Sequence, residues 1–336
     1  MKFIDLFAGI GGFRVALEQL GLECVFSSEI DYHARLTYKN NFGHYPAGDI
    51  TRVGEFEIPS YDILCAGFPC QPFSISGKQL GFNDTRGTLF HEIARIAKYH
   101  MPKVIFLENV KNFVRHNQGK TFAIVCNSLE DLGYDVYYKV INASLYGVPQ
   151  ARERVYIIAF RKNLNIKDFS FPKPTYEEVY LKDMLLSNGK ADSLFINRKD
   201  MVLYDDAEDK KKKKSLRPVR LGIVNKGGQG ERIYSANGHA VTLSAYGGGV
   251  GAKTGLYLIS GKIRKLHVEE CKRLMTFPDN YILSNNTNQA YKQFGNAVIV
   301  KIIRIITKEV LRRIEWSEKK KTQKSAAKPN AYSLVS

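Results

Sequence analysis

Residues 1–160 alternate short apolar runs with segments of helical spacing, and that alternation restricts the fold more than any other feature of the chain. Residues 2–7, 23–28, 61–66, 104–107, 134–141 and 155–160 read as strands. Between them, residues 12–20 place Phe13, Ala16, Leu17 and Leu20 on one helical face. Residues 88–99 form a helix with Thr88 as N-cap, and 121–132 form another. Strands apolar on both sides are buried on both faces, so the pattern predicts a doubly wound, mostly parallel α/β sheet. Ligands of such sheets bind beyond the carboxyl ends of the strands.

Past residue 170 the composition changes. Residues 171–175 (FPKPT) read as an extended linker. An acidic stretch, 205–209, runs into five lysines, 210–214, and is expected to be a solvated loop. Residues 222–261 hold eleven of the 27 glycines, interleaved with Ile, Tyr, Val and Leu, and predict a smaller, glycine-rich β domain. Such glycines serve either bulges and tight turns or close approach of the backbone to another molecule. Residues 268–275 and 297–313 regain helical spacing, and the tail from Ser317 has so little to bury that it is expected to be disordered.

Fifty Lys and Arg against 33 Asp and Glu give a net charge of +17, which favours a polyanionic partner such as nucleic acid. No uncharged apolar run approaches the length of a membrane span, and the opening MKFIDLFAGIGG lacks a signal peptide's cleavage region, so neither a membrane nor a secreted protein is expected. The five cysteines are odd in number and scattered, as in a cytosolic chain with free thiols. Cys65 and Cys70 form the only close pair and lack further ligands nearby, so no metal site is expected.

The strand ends carry the chemistry. Phe7 and the glycines Gly9, Gly11 and Gly12 close the first strand with a tight turn, but not in the G-x-G-x-x-G pattern of a dinucleotide site. Glu29 ends the second strand, where a carboxylate holds two ribose hydroxyls, and Asp49 can accept from an adenine amino group. These describe an adenosine pocket. NAD and S-adenosylmethionine compete for it, and the latter, without a pyrophosphate and with a positive charge, suits the acids better. Cys70 sits between Pro69 and Pro72, among turn formers rather than core residues, unlike Cys24, Cys65, Cys126 and Cys271. Glu108 follows a buried strand, and Arg152 and Arg154, two apart, point to one side if extended. A thiol, a glutamate and two arginines suit an anionic substrate.

FAGIGG, GFPCQPFS, ENV, QARER and QFGNAV, in this order and spacing, resemble the DNA cytosine-5 methyltransferases over about residues 1–315. KGGQGERIYS (226–235) and TLSAYGGG (242–249) bring the chain nearest the HhaI-type restriction-modification methyltransferases. Thr276 stands where the family usually has glycine, and Val250-Gly251 replaces bulkier residues. The resemblance implies a Rossmann-like methyltransferase fold divided into a catalytic and cofactor-binding domain (1–185), a target-recognition domain (186–267), a hinge and return (268–316) and a tail (317–336).

It implies S-adenosylmethionine as cofactor, with S-adenosylhomocysteine as product and no metal. Phe7, Gly9, Gly11, Glu29, Asp49, Ile50, Pro69, Leu89, Asn296 and Val298 would hold it. Cys70 would add to carbon-6 of a flipped-out cytosine, assisted by Glu108, Arg152 and Arg154, and carbon-5 would take the methyl group. Ser76, Gln229, Arg232 and Tyr246 would contact double-stranded DNA, Ser76 and Gln229 filling the vacated space and Arg232 reading a guanine. The implied setting is a monomer in a bacterial cytoplasm, paired with a restriction endonuclease for the same site, 5'-GCGC-3'. A tRNA cytosine-5 methyltransferase and a non-catalytic DNA-binding protein are the alternatives.

Overall fold

The structure is a computed structural model that describes residues 1–69, 88–187 and 189–326, with side chains as far as residue 320. Its first half comprises β1 (Lys2–Leu6), α1 (Gly12–Glu18), β2 (Glu23–Ser28), α2 (Tyr32–Phe42), β3 (Ile63–Gly67), α3 (Leu89–His100), β4 (Val104–Val110), α4 (Lys120–Asp131), β5 (Tyr134–Asn142), β6 (Gln150–Ala151) and β7 (Glu153–Arg161). Six of these strands form one sheet in the order β2-β1-β3-β4-β7-β5. Neighbours from β2 to β4 pair in parallel, and β7 runs antiparallel to both β4 and β5. One strand of six is therefore reversed, and the sheet is mostly parallel, as the alternation predicts.

Side chains alternate between two apolar layers. Phe3, Cys65, Phe106 and Ile158 face the layer that includes α1, whereas Ile4, Leu6, Leu64 and Leu107 face α3 and α4. Thr88 caps α3 as expected, its hydroxyl accepting from the His91 N–H. Helix α2 has no counterpart in the sequence reading. It buries only Ala34, Thr37 and Tyr38, so no apolar stripe announces it, and Asp31 starts it by accepting from the Ala34 N–H.

A second sheet contains β8 (Phe195–Ile196), β9 (Met201–Leu203), β10 (Arg220–Val224), β11 (Arg232–Ser235), β13 (Leu256–Ile259) and β14 (Lys262–Arg264), ordered β8-β14-β13-β11-β10-β9. Strand β12 (Ala240–Val241) instead pairs with β6, joining the two halves of the molecule. The second sheet has its own small core of Leu221, Val224, Ile233, Leu256 and Ile263, closed by Ala207 of α5 (Ala207–Lys212). The lysine run is thus not a loop at its start. Burial of Ala207 and two hydrogen bonds from Ser235 and Asn237 to the Lys211 carbonyl hold it as a helical turn.

The glycines here press the chain against itself. The Gly251 N–H donates to the Gly230 carbonyl at 2.7 Å, and a Cβ on Gly230 would stand 2.1 Å from the Gly248 carbonyl oxygen. Two loops, 227–230 and 247–251, therefore meet backbone to backbone.

The chain returns through α6 (Val268–Leu274), α7 (Thr287–Asn296) and α8 (Val300–Ala326). Helix α8 extends ten residues into the stretch expected to be disordered, because Ser317 is buried with its hydroxyl on the Leu164 carbonyl and Glu318 pairs with Lys103. Among the described residues no helix is long and apolar enough to cross a membrane.

Asp5 is a polar residue in the centre of this core. It lies fully buried on β1 between Ser27 and Cys65. Burial raises its pKa to about 8, against the opposing influence of Arg14. The folded state keeps a proton that the unfolded chain releases near pH 4, so this group's contribution to stability is lost as pH rises from about 4 to about 8. The melting temperature of Asp5→Asn should fall less over that range than the wild type's, as read by calorimetry.

Candidate active site

A cavity of about 570 Å³ opens beyond the carboxyl ends of β1 to β4. Phe7 leaves β1 in the left-handed conformation (φ 55°), which turns the chain so that the Gly9 N–H points at Glu29. Glu29 Oε2 accepts from Gly9 at 2.8 Å, and Oε1 accepts from the Asp31 N–H at 2.7 Å. Burial raises the pKa of this carboxyl, and the N–H groups of Asp31, Gly9 and Ile30 oppose the shift. The carboxylate keeps acceptor capacity for a further donor. Asp49, at the rim, uses Oδ1 to accept from the Thr51 hydroxyl and N–H, which lowers its pKa.

Ile50, Pro69, Leu89 and Asn296 also line this cavity, so it gathers most of the expected cofactor residues. Gly11 and Val298 lie outside its lining. Gly11 is the left-handed N-cap of α1, and a Cβ there would stand 2.4 Å from the Phe42 ring, so closing the turn requires glycine. Val298 packs beneath the same turn, its Cγ2 2.6 Å from where a Cβ on Gly12 would be.

The same cavity receives Glu108, Arg152 and Arg154. Glu108 lies within β4 rather than after it, opposite Tyr156, while Val110 is opposite Arg154. Because β7 is reversed, its first residues share an edge with the last residues of β4. Arg154 Nε stands 3.1 Å from Glu108 Oε1, an ion pair with both side chains largely buried. The pKa of Glu108 is nevertheless raised: burial dominates, and Arg154 and then Arg152 act against it. Arg152 points elsewhere than the sequence suggests. Its Nη1 donates to the Leu243 carbonyl, and its Nη2 donates to those of Gly295 and Ala297, at 2.8–3.1 Å.

Among the lining residues that sequence does not single out, three make polar contacts that shape the cavity. Asn109 donates to the Phe68 carbonyl at 2.9 Å and so fixes the chain leaving β3. Asp31 accepts from Lys292 at 2.7 Å, tying α2 to α7 across the cavity. Asn109 stood inside the ENV motif and Lys292 one residue before QFGNAV, but nothing in their spacing distinguishes them.

Cys70 and Ser76 lie outside the described residues. Pro69, bonded to Cys70, lines the cavity. The other four cysteines are free thiols whose pKa values burial pushes up, to about 12 for Cys24 and Cys126 and well upward for Cys65 and Cys271. None of these four is poised as a nucleophile. Among the described residues no group of three or more His, Cys, Asp or Glu side chains could hold a metal ion.

A second cavity, of about 320 Å³, is lined by Gln229, Arg232 and Tyr246. Arg232 Nε donates to the Gly227 carbonyl, and among the described residues its two terminal nitrogens have no hydrogen-bond partner. Tyr246 is 73% exposed and lines both cavities, so they adjoin there.

The profile of the C-5 cytosine-specific DNA methylase family matches residues 1–312. The chain belongs to this family. The type II methyltransferase M.HhaI of Haemophilus parahaemolyticus is 56% identical over 306 residues, which span 91% of this chain and 93% of that one. M.HpaII of Haemophilus parainfluenzae is 41% identical, over 93% of this chain and 89% of its own. Among solved structures, the S. pombe Dnmt2 methyltransferase superposes with a TM-score of 0.69 at 18% identity, covering 93% of this chain and 98% of that one. This C-5 cytosine-specific DNA methylase is accordingly a type II DNA cytosine-5 methyltransferase on a methyltransferase α/β fold.

In the methylase, Glu29 both shapes the Phe7–Gly9 turn and offers free acceptors to the cavity. Glu29→Ala should weaken S-adenosylhomocysteine binding by roughly tenfold or more, since hydrogen bonds to a charged group contribute about 1.5–3 kcal/mol. Isothermal titration gives the answer, and unchanged affinity would remove Glu29 from the binding site.

Proposed function

We propose that the methylase transfers a methyl group from S-adenosylmethionine to carbon-5 of the first cytosine of 5'-GCGC-3' in duplex DNA. One observation carries this reading: a single cavity holds both the adenosine-type acceptors around Glu29 and the buried Glu108–Arg154 pair. It adjoins, at Tyr246, the cavity that presents Arg232.

The residues present fit S-adenosylmethionine. Glu29 has acceptors left for the ribose hydroxyls, Asp49 has Oδ2 free of the Thr51 bonds, and Phe7 and Ile50 offer apolar surface. When bound, this cofactor supplies an electrophilic methyl group.

The protein's own task is to make carbon-5 nucleophilic. The Cys70 thiolate forms an S–C6 bond, the C5=C6 pair moves to C4=C5, and the C4=N3 pair moves to N3. A proton from Glu108 neutralises N3, and the raised pKa of this buried carboxyl favours the protonated form that can give it. Arg154 holds the Glu108 side chain in place and presents positive charge beside the base. Once carbon-5 carries the methyl group, its proton leaves to water, the S–C6 bond breaks to regenerate the thiolate, and the N3 proton returns to Glu108. These atoms lie inside the duplex, so the cytosine is rotated out of the stack. Gln229 and Ser76 fill the gap, and Arg232 directs its free terminal nitrogens to a guanine. The 226–235 segment and the 56% identity to M.HhaI support the site. A monomeric enzyme and an endonuclease cutting the same sequence complete the proposal, by analogy with the type II relatives.

Methylation mapping of plasmid DNA from cells expressing the chain tests this. The first cytosine of GCGC should carry the mark, and Cys70→Ser should abolish it. Marks at another sequence would overturn the site, and incorporation into tRNA instead of DNA would overturn the substrate. Arg232→Ala should weaken discrimination at one base position by roughly 1–3 kcal/mol. An equal loss of affinity for all sequences would make Arg232 a phosphate contact.

A further inference from the structure

We infer that Arg152 is a positioning residue rather than a catalytic one: it clamps the DNA-facing segment around Tyr246 to the cofactor-facing segment around Asn296, so that the two ligands are bound cooperatively. The inference rests on the function proposed above.

Three parts of the chain meet at this guanidinium. The first is the junction of β6 and β7, which supplies Arg152 itself and keeps it 2% exposed. The second is the segment after β12, whose Leu243 carbonyl accepts from Nη1 at 3.1 Å. Three residues later this segment presents Tyr246. The third is the end of α7, where the Gly295 and Ala297 carbonyls accept from Nη2 at 3.0 and 2.8 Å. These two residues flank Asn296, which lines the larger cavity.

The second and third segments also touch directly. A Cβ on Gly295 would stand 2.1 Å from the Ala245 nitrogen and 2.3 Å from the Ser244 carbonyl carbon. Neither segment can move without the other while this contact and the fork persist. Further bonds make the β6 side rigid: Gln150 Oε1 accepts from the Leu243 N–H, and the Thr242 hydroxyl donates to the Ala151 carbonyl.

Charge alone does not explain the arrangement. The carboxylate nearest Arg152, Glu108, is paired with Arg154, and every hydrogen bond from Arg152 goes to a backbone carbonyl. A planar fork holds acceptors on two segments in one fixed geometry, whereas a lysine's donors swivel on a flexible stem. Ordering one segment by ligand therefore orders the other, which is a coupling free energy between sites.

The test measures the affinity of S-adenosylhomocysteine with and without a saturating GCGC duplex, and of the duplex with and without saturating S-adenosylhomocysteine. The wild-type chain should show the same factor, about fivefold or more, in both directions. Arg152→Lys, which keeps the charge, should bring the factor below about twofold. Gly295→Ala, which forces the segments apart and keeps Arg152, should do the same. Glu108→Gln should lose turnover and keep the wild-type factor, a separation that a general loss of structure would not produce. Circular dichroism checks that each variant is folded, and either clamp variant suffices. A wild-type factor near one, or wild-type coupling in a folded clamp variant, overturns the inference and leaves the proposed function standing. Failure of the wild type to bind S-adenosylhomocysteine at all overturns both.

Discussion

The reversal of β7 is the constraint on which the site depends. In a parallel strand of nine residues, the first residue lies roughly 25–30 Å from the edge where the other strands end. Running antiparallel, β7 begins at that edge, and its register places Arg154 opposite Val110 and Tyr156 opposite Glu108. Glu108 and Arg154 become diagonal neighbours, a separation that two long side chains span. The same reversal delivers Arg152 to the junction with β6, where the second half of the molecule is attached.

What the pair can do is decided by which influence on Glu108 prevails. An arginine at ion-pair distance stabilises the carboxylate, and a second lies nearby, yet burial outweighs both and raises the pKa. Engagement of the Arg152 terminal nitrogens by three carbonyls is consistent with that outcome, because its charge is solvated by backbone dipoles rather than spent on the glutamate. A fully exposed Glu–Arg pair would remain ionised and could only accept. Enclosure shifts the group toward its protonated form, and the arginine keeps it from turning away.

The sequence displayed the sheet and most of the cavity because both depend on local signals. Apolar runs mark strands whichever way they run, and glycine, proline and acid at strand ends mark loops. Direction is not local, so the reversal of β7, and with it the reason Arg152 and Arg154 differ, could not be read. Helices α2 and α7 bury few apolar side chains and were missing from the reading, along with the Asp31–Lys292 link between them. A glycine-rich turn serves ligand and helix entry alike, and the ring of Phe42 against Gly11 is a requirement for glycine that no local pattern displays. The tail was judged by composition, whereas the burial of Ser317 and the pairing of Glu318 depend on partners more than 150 residues away.

The glycine-rich half shows a different economy. Its own core has six buried apolar side chains, against the two large layers around the main sheet. Few buried contacts make such a unit prone to local opening, so its orientation has to come from where it joins the rest. The β6–β12 pairing and the close approach at Gly295 supply that orientation without side-chain volume, and the backbone contact between the two glycine loops fixes their shape. Loops fixed by backbone contact hold a definite shape while leaving their outer faces free for Gln229, Arg232 and Tyr246. A side chain outside these backbone contacts, such as the exposed Tyr246, can change at little cost to folding, because it does not hold the loops together.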